Sequence, residues 1–229
     1  MSTDIPPSGQ EPGAASQLQI LATEHWSLLA TRSLTYGESL SRVNIFLAIL
    51  SGAVIALALV AQADRFGPMF ISVAIPMLFV VLFAGIATIA RLTALNRDDY
   101  RWVIGMNRLR HAYLQLHPEL EPQFVTSPND DLRGALQTLG IDDVTAGRGL
   151  GSVFHLLQTL PGMLTVIVAA VAGAIGALAA RAVAIPPLGV VLAAAAAFVL
   201  VLILMGISGR RSVTRFTPGL VPRFPSPSS

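Results

Sequence analysis

"NIFLAILSGAVIALALVAQ", residues 44–62, runs for nineteen residues without a charge. That is close to the ~20 residues a helix needs to cross a hydrocarbon core. Three further runs, 69–90, 162–180 and 184–206, also lack Asp, Glu, His, Lys and Arg. Composition agrees: of 229 residues, 53% are hydrophobic and 12% charged, with a mean hydropathy of +0.66, whereas soluble domains carry roughly a quarter charged residues. The expected fold is all-α: an integral membrane protein with four transmembrane helices and long cytoplasmic extensions of the first two.

Four spans put both termini and residues 91–161 on one face. Thirteen of the 15 basic residues lie there, all of them arginine, and only Arg65 and Arg181 lie opposite. Positive charge near span ends marks the cytoplasmic side, so both termini are expected in the cytoplasm. The lack of Lys, with abundant Ala, Gly, Pro and Val, suggests a GC-rich bacterial genome and hence a bacterial plasma membrane. The pI of 9.7 accompanies a net charge of only +2, so no nucleic-acid partner is expected. Arg91, Arg97, Arg101, Arg210 and Arg211 flank the spans and are read as contacts to anionic lipid headgroups. With no cysteine, disulfides, thiolate metal sites and cysteine nucleophiles are excluded. The start of the chain has no basic n-region followed by a cleavable apolar stretch, so no signal peptide is expected.

Outside the spans a second pattern appears. Ala22, Trp26, Leu29, Ser33, Tyr36, Leu40, Val43, Leu47 and Leu50 recur at alternating four- and three-residue steps, broken only by Ser33. That period marks a helix packed along one seam. Leu92, Leu95, Asp99, Trp102, Met106, Leu109, Tyr113 and Leu116 repeat it after the second span, with Asp99 the exception. Helices over 16–42 and 92–116 would extend roughly 40 Å and 37 Å and pair as an antiparallel stalk. Trp26, Tyr36, Asp99 and Trp102 are its candidate register or interface residues. A carboxylate in a seam needs a partner, and Arg32 and Arg42 are both placed to supply one. Thr23, Ser27, Thr31, Thr35 and Ser39 sweep around the back of the first helix and do not converge as an active site must. His25 and Glu24 fall on its polar side, and Glu38 can pair with Arg42 one turn on.

The chain then divides into a disordered N-terminus (1–15), a helical hairpin with the stalk and first two spans (16–116), and a cytoplasmic loop with short helices (117–160). The third and fourth spans (161–206) and a disordered Arg-, Pro- and Ser-rich tail (207–229) follow. Pro118 ends the second long helix. A short helix capped by Asn129 or Asp130 should end at Gly140, and another is expected over 152–160. Small residues four apart, at Ala169, Gly173 and Ala177, at Ala172, Gly176 and Ala180, and at Ala48, Gly52 and Ala56, allow close helix approach in lipid. Gly52, Gly173 and Gly176 are therefore candidate packing positions, within one bundle or between copies. Pro76 should kink the second span.

Little chemistry is indicated. No ionisable residue lies within a span, which argues against a pump or coupled transporter. "HPELEP" with His111 gathers two histidines and two glutamates, but Pro118 interrupts the helix, so no metal-ligand spacing is enforced. The acidic doublets at 130–131 and 142–143 read as caps and solvated turns, and "GRGLGS" at 147–152 precedes no strand. No catalytic residue, cofactor or metal site is assigned.

"LATEHWSLLATRSLTYGESLSR" and "FLAILSGAVIALALVAQ", with "VLFAGIATIARL" and "NRDDYRWVIGMNRLRHAYLQLHPELEPQF", resemble an uncharacterised family of actinobacterial four-span membrane proteins over residues 20–125. The architecture more loosely resembles SLATT-type membrane effectors, which implies membrane perturbation. A second pair of spans and the lack of a linked nucleotide-sensing domain depart from that pattern. The function expected is a non-enzymatic membrane interaction protein, self-associating and pore-like, with the bilayer, further copies of itself and a cytoplasmic protein as partners. The alternative is a membrane enzyme or transporter component with a site at the cytoplasmic interface near Arg97 to Arg101.

Overall fold

A computed structural model describes residues 13–140, 159–216 and 221–227. Within these the chain is all-α, with no strand. The helices are α1 (Ala14–Asp64), α2 (Pro68–Leu116), α3 (Leu132–Leu139), α4 (Leu160–Ala182) and α5 (Pro187–Phe216), with a 3-10 turn at Pro118–Gln123. Four of them, all but α3, contain stretches long and apolar enough to cross a membrane. The expected helix over 152–160, apart from its last two residues, lies outside the described residues, as do "GRGLGS" and Asp142–Asp143.

Two compact units divide the chain, and the long helices α1 and α2 contribute to both. Unit 1 takes residues through Leu34, Asp99–Asp143 and Val221–Ser229; unit 2 takes Thr35–Asp98 and Val144–Leu220.

Unit 2 holds the four apolar stretches. α1 and α2 are joined by a turn in which Arg65 and Phe66 have φ of 42° and 63°, a left-handed conformation costing roughly 1–2 kcal/mol for a residue with a Cβ. Asp64 offsets this: its carboxylate accepts from the Phe70 amide at 2.7 Å and its carbonyl from the Gly67 amide at 2.8 Å. A Cβ on Gly67 would lie 2.8 Å from that carboxylate, so only glycine fits beneath it. Inside the unit Phe46 of α1, Val81 and Leu92 of α2, and Leu164 and Val168 of α4 are almost fully buried together. Along α1 the inward line here is Ser39, Val43, Phe46 and Ala53, all buried, with Thr35 and Leu50 half-buried.

Away from this core large apolar side chains remain exposed, among them Val54, Ile55, Leu59, Phe79, Val80 and Phe83, together with Val191, Leu192, Val199 and Leu200 of α5. Apolar patches of this extent are not stable against water, but suit lipid. α4 and α5 pack closely through small residues. A Cβ on Gly176 would meet the Ala193 carbonyl at 2.8 Å and Ala197 at 3.0 Å, and one on Gly173 the Ala194 carbonyl at 3.2 Å. Gly52 is different: a Cβ there meets nothing within 4 Å among the described residues. Pro76 lies inside α2 at an exposed position.

The ends of the chain depart from expectation. α1 begins at Ala14, two residues early, within the usual uncertainty of a helix end. Residues 207–216, expected in a disordered tail, continue α5 because nothing before Pro218 breaks the helix. Residues 221–227 are also ordered, for reasons given below.

Gly85 lies where α2 meets α1 and α4: a Cβ there would collide with Val168 and come within 3.0 Å of Phe46. Gly→Ala inside an unhindered helix stabilises by roughly 0.5–1 kcal/mol. Gly206→Ala, whose Cβ enters open space, should follow that rule, whereas Gly85→Ala should destabilise by about 1–3 kcal/mol through overpacking. Thermal or SDS unfolding of the two variants in detergent gives the opposite signs that check this.

Candidate functional site

Chemistry-bearing side chains gather in unit 1, outside the apolar stretches. The first contact to consider is Asp99, which accepts from Arg32 Nε at 2.6 Å and Nη2 at 3.0 Å. A two-pronged guanidinium contact of this kind is among the stronger polar interactions. Both side chains are about 30% exposed, which limits what the charge alone contributes.

The inward line of α1 in unit 1 is Leu18, Leu21, His25, Leu28 and Arg32. It lies one residue ahead of the apolar line read from the sequence. One residue is 100° on a helix, enough to exchange faces. Trp26 and Tyr36, expected in the seam, are accordingly 71% and 64% exposed. His25, expected on the polar side, is half-buried and stacks on Tyr113 of α2 at 6.0 Å. Burial, then repulsion from Arg110, lowers its pKa. Leu28 packs against Gly105, where a Cβ would lie 3.1 Å away. This face mixes leucines with His25 and Arg32, so an apolar count favours the neighbouring line. The hydroxyls of Thr23, Thr31 and Ser39 bond back to carbonyls four residues earlier, which quiets them without assembling a site.

On α2, Leu92, Leu95 and Met106 are buried, and Asp99 and Trp102 are half-buried. The indole N–H of Trp102 is shielded and has no hydrogen-bond partner among the described residues. Arg97 and Arg101 occupy exposed positions, while Asp99 turns in toward Arg32. Arg91, expected at lipid headgroups, grips the Glu38 carboxylate at 2.9 and 3.0 Å, and Arg42 approaches the same group at 2.8 Å. Hydrogen bonds from Arg91 and then Arg42 hold the Glu38 pKa down to about 2. Arg211 is exposed, and the Arg210 side chain lies outside the described residues.

A second cluster was not foreseen. Asn107 of α2 is 0% exposed; its amide donates to the Asn129 carbonyl at 2.7 Å, and its Oδ1 accepts from Arg110 at 2.6 Å. Thr138 of α3 lies 3.0 Å from the same oxygen. This network positions the turn before α3. Asp131, rather than Asn129 or Asp130, is the N-cap, accepting from the Gly134 amide at 2.8 Å. A Cβ on Gly134 would strike the Asn129 carbonyl.

Asp130 is thereby freed from capping, yet only 2% exposed. Its carboxylate accepts from Arg108 Nε at 2.7 Å and from the amides of Arg223 and Phe224 at 2.9 and 2.7 Å, and its own amide donates to the Phe224 carbonyl. Asp131 accepts from the Ser226 amide and hydroxyl at 3.0 and 2.9 Å. The Phe224 ring stacks on His111 with centroids 3.8 Å apart. Burial raises both aspartates, but the donors outweigh it and leave their pKa values below the ordinary one. The doublet was read as a solvated cap because a sequence does not show that amides far along the chain return to it.

No family model, curated protein or solved structure matches this chain. Function must therefore be read from these contacts alone.

Two measurements test the cluster and the pair. A lowered carboxylate pKa contributes stability above its unfolded value, near ~4 for Asp, and loses it as pH falls through the folded value. The chain is free of cysteine, so Pro227→Cys, at an exposed position of the docked segment, carries a single fluorophore. Its anisotropy should hold from pH 8 to 5, fall below about pH 4, and be low at neutral pH in Asp130→Ala. Separately, a double-mutant cycle of Arg32→Ala with Asp99→Ala, followed by thermal unfolding, should give a coupling of about 1 kcal/mol.

Proposed function

We propose that the protein is a non-enzymatic interaction protein of the membrane that associates with further copies of itself through the outer face of α1. The observation that carries this is the stripe Ala22, Trp26, Leu29, Ser33, Tyr36 and Leu40, whose large apolar members are all exposed outside the four uncharged runs. A three-four repeat is self-complementary, so the same stripe on another copy is its natural partner. Water-exposed tryptophan, tyrosine and leucine at this spacing mark a protein contact. Gly52, facing open space within the first apolar stretch, leaves the helix closely approachable in lipid as well.

The same reading puts the protein in a bacterial plasma membrane with both ends cytoplasmic, supported by thirteen of 15 arginines on one side. Resemblance to SLATT-type effectors, a helix leading into a two-span hairpin with a long helix behind it, supports a pore-like assembly. An enzyme or transporter component with a site near Arg97 to Arg101 is the rival, but Asp99, the seam carboxylate there, is engaged by Arg32.

Native mass spectrometry from detergent should show a defined oligomer that Trp26→Glu with Tyr36→Glu reduces to monomer while circular dichroism is unchanged. A wild-type monomer overturns self-association. Dye release from vesicles holding the intact oligomer, absent with the double variant, is the outcome expected of a pore.

A further inference from the structure

We propose that unit 1 carries a peptide-recognition site for extended, proline-flanked segments with an aromatic residue two positions before a hydroxyl, and that residues 221–227 are its resident, exchangeable ligand. This rests on the Asp130 cluster and is independent of the outer face of α1.

The occupant "VPRFPSP" has Pro at 222, 225 and 227. Proline fixes φ near −65° and favours extended backbone before it, so little freedom is lost on docking. Six polar groups of the bound segment are met at polar atoms built into the site. The Val221 carbonyl receives Arg108 Nη2 at 3.3 Å, the Arg223 and Phe224 amides reach Asp130, and the Phe224 carbonyl accepts from the Asp130 amide at 3.1 Å. The Ser226 amide and hydroxyl reach Asp131. Pro225 has no amide to leave unpaired. Phe224 and Ser226 are half-buried while Arg223, Pro225 and Pro227 are exposed, the two-residue alternation of an extended chain read from one side. The site therefore selects position 224 through the His111 ring and position 226 through Asp131, and ignores the Arg223 side chain.

Contacts outside the segment also hold the receiving surface. Asp131 is fixed as the cap of α3, Asn107 holds the Asn129 carbonyl, and Arg108 is paired to Asp130. Such a surface binds the same chemistry whether it arrives on this chain or on a partner. A tethered ligand competes at an effective concentration of about millimolar, so the resident segment sets a threshold that an incoming peptide must exceed.

The test uses the whole protein in detergent and the fluorescent peptide Val-Pro-Arg-Phe-Pro-Ser-Pro. A chain ending at Leu220 should bind it saturably, and the full chain about tenfold or more weakly. With the shortened chain, the peptide altered at Phe224→Ala should lose about tenfold, and that altered at Arg223→Ala should bind like the parent. Full-length Phe224→Ala with Ser226→Ala empties the site without shortening the chain and should bind as the shortened form does. No saturable binding to either opened form, equal binding to the unaltered full chain, or indifference to Phe224 overturns the proposal.

Discussion

A helix in hydrocarbon must satisfy its backbone amides and carbonyls within itself, since no water is present to do so, and the rest of this structure depends on that constraint. It forces each uncharged run into unbroken helix and confines irregular backbone to the turns at Arg65–Gly67 and Val183–Pro186. It also removes the hydrophobic effect as a reason for helices to associate. Close packing must do that work, and it does so where glycine permits: at Gly85 beneath Val168 and Phe46, and at Gly173 and Gly176 against the α5 backbone.

Beyond the apolar stretches water returns, and the rules for pairing change. Polar side chains can then enter a helix contact if they are matched, and α1 and α2 exploit this with Arg32 on Asp99 and His25 on Tyr113. One consequence is that α1 can leave Trp26, Leu29, Tyr36 and Leu40 exposed on its other side. The helix carries two lines of three-four spacing a residue apart, a mixed one of leucines with His25 and Arg32 turned inward and an apolar one whose large side chains are exposed. Periodicity counts apolar residues, so it found the second and took it for the first. On α2 the inward residues include Leu92, Leu95 and Met106, so apolar spacing and burial coincide.

Asp130 and Asp131 illustrate a different limit. Adjacent in sequence, they serve separate ends: one caps α3, and the other is buried against amides more than ninety residues away. Capping is a local event that can be read from a few neighbours, although the register was off by one here. Burial of Asp130 depends on Arg108 from α2 and on the returning segment, and neither is local. A Pro- and Ser-rich tail looks disordered by composition, but a few well-placed acceptors suffice to order seven residues that proline has already straightened.

By itself, then, the sequence determined the all-α class, the four membrane-length helices, the helix boundaries set by Pro118 and Gly140, and the apolar spacing of α2. Each follows from uncharged length, local breakers or apolar period, which are properties of short windows. The tertiary structure alone decided which face of α1 turns inward, that Arg32 and not Arg42 meets Asp99, and that residues 221–227 dock on the Asp130 cluster. These depend on where a matching donor or acceptor lies in space. A buried polar group is stable only when that partner arrives, and sequence spacing does not encode partners separated by 67 or 94 residues.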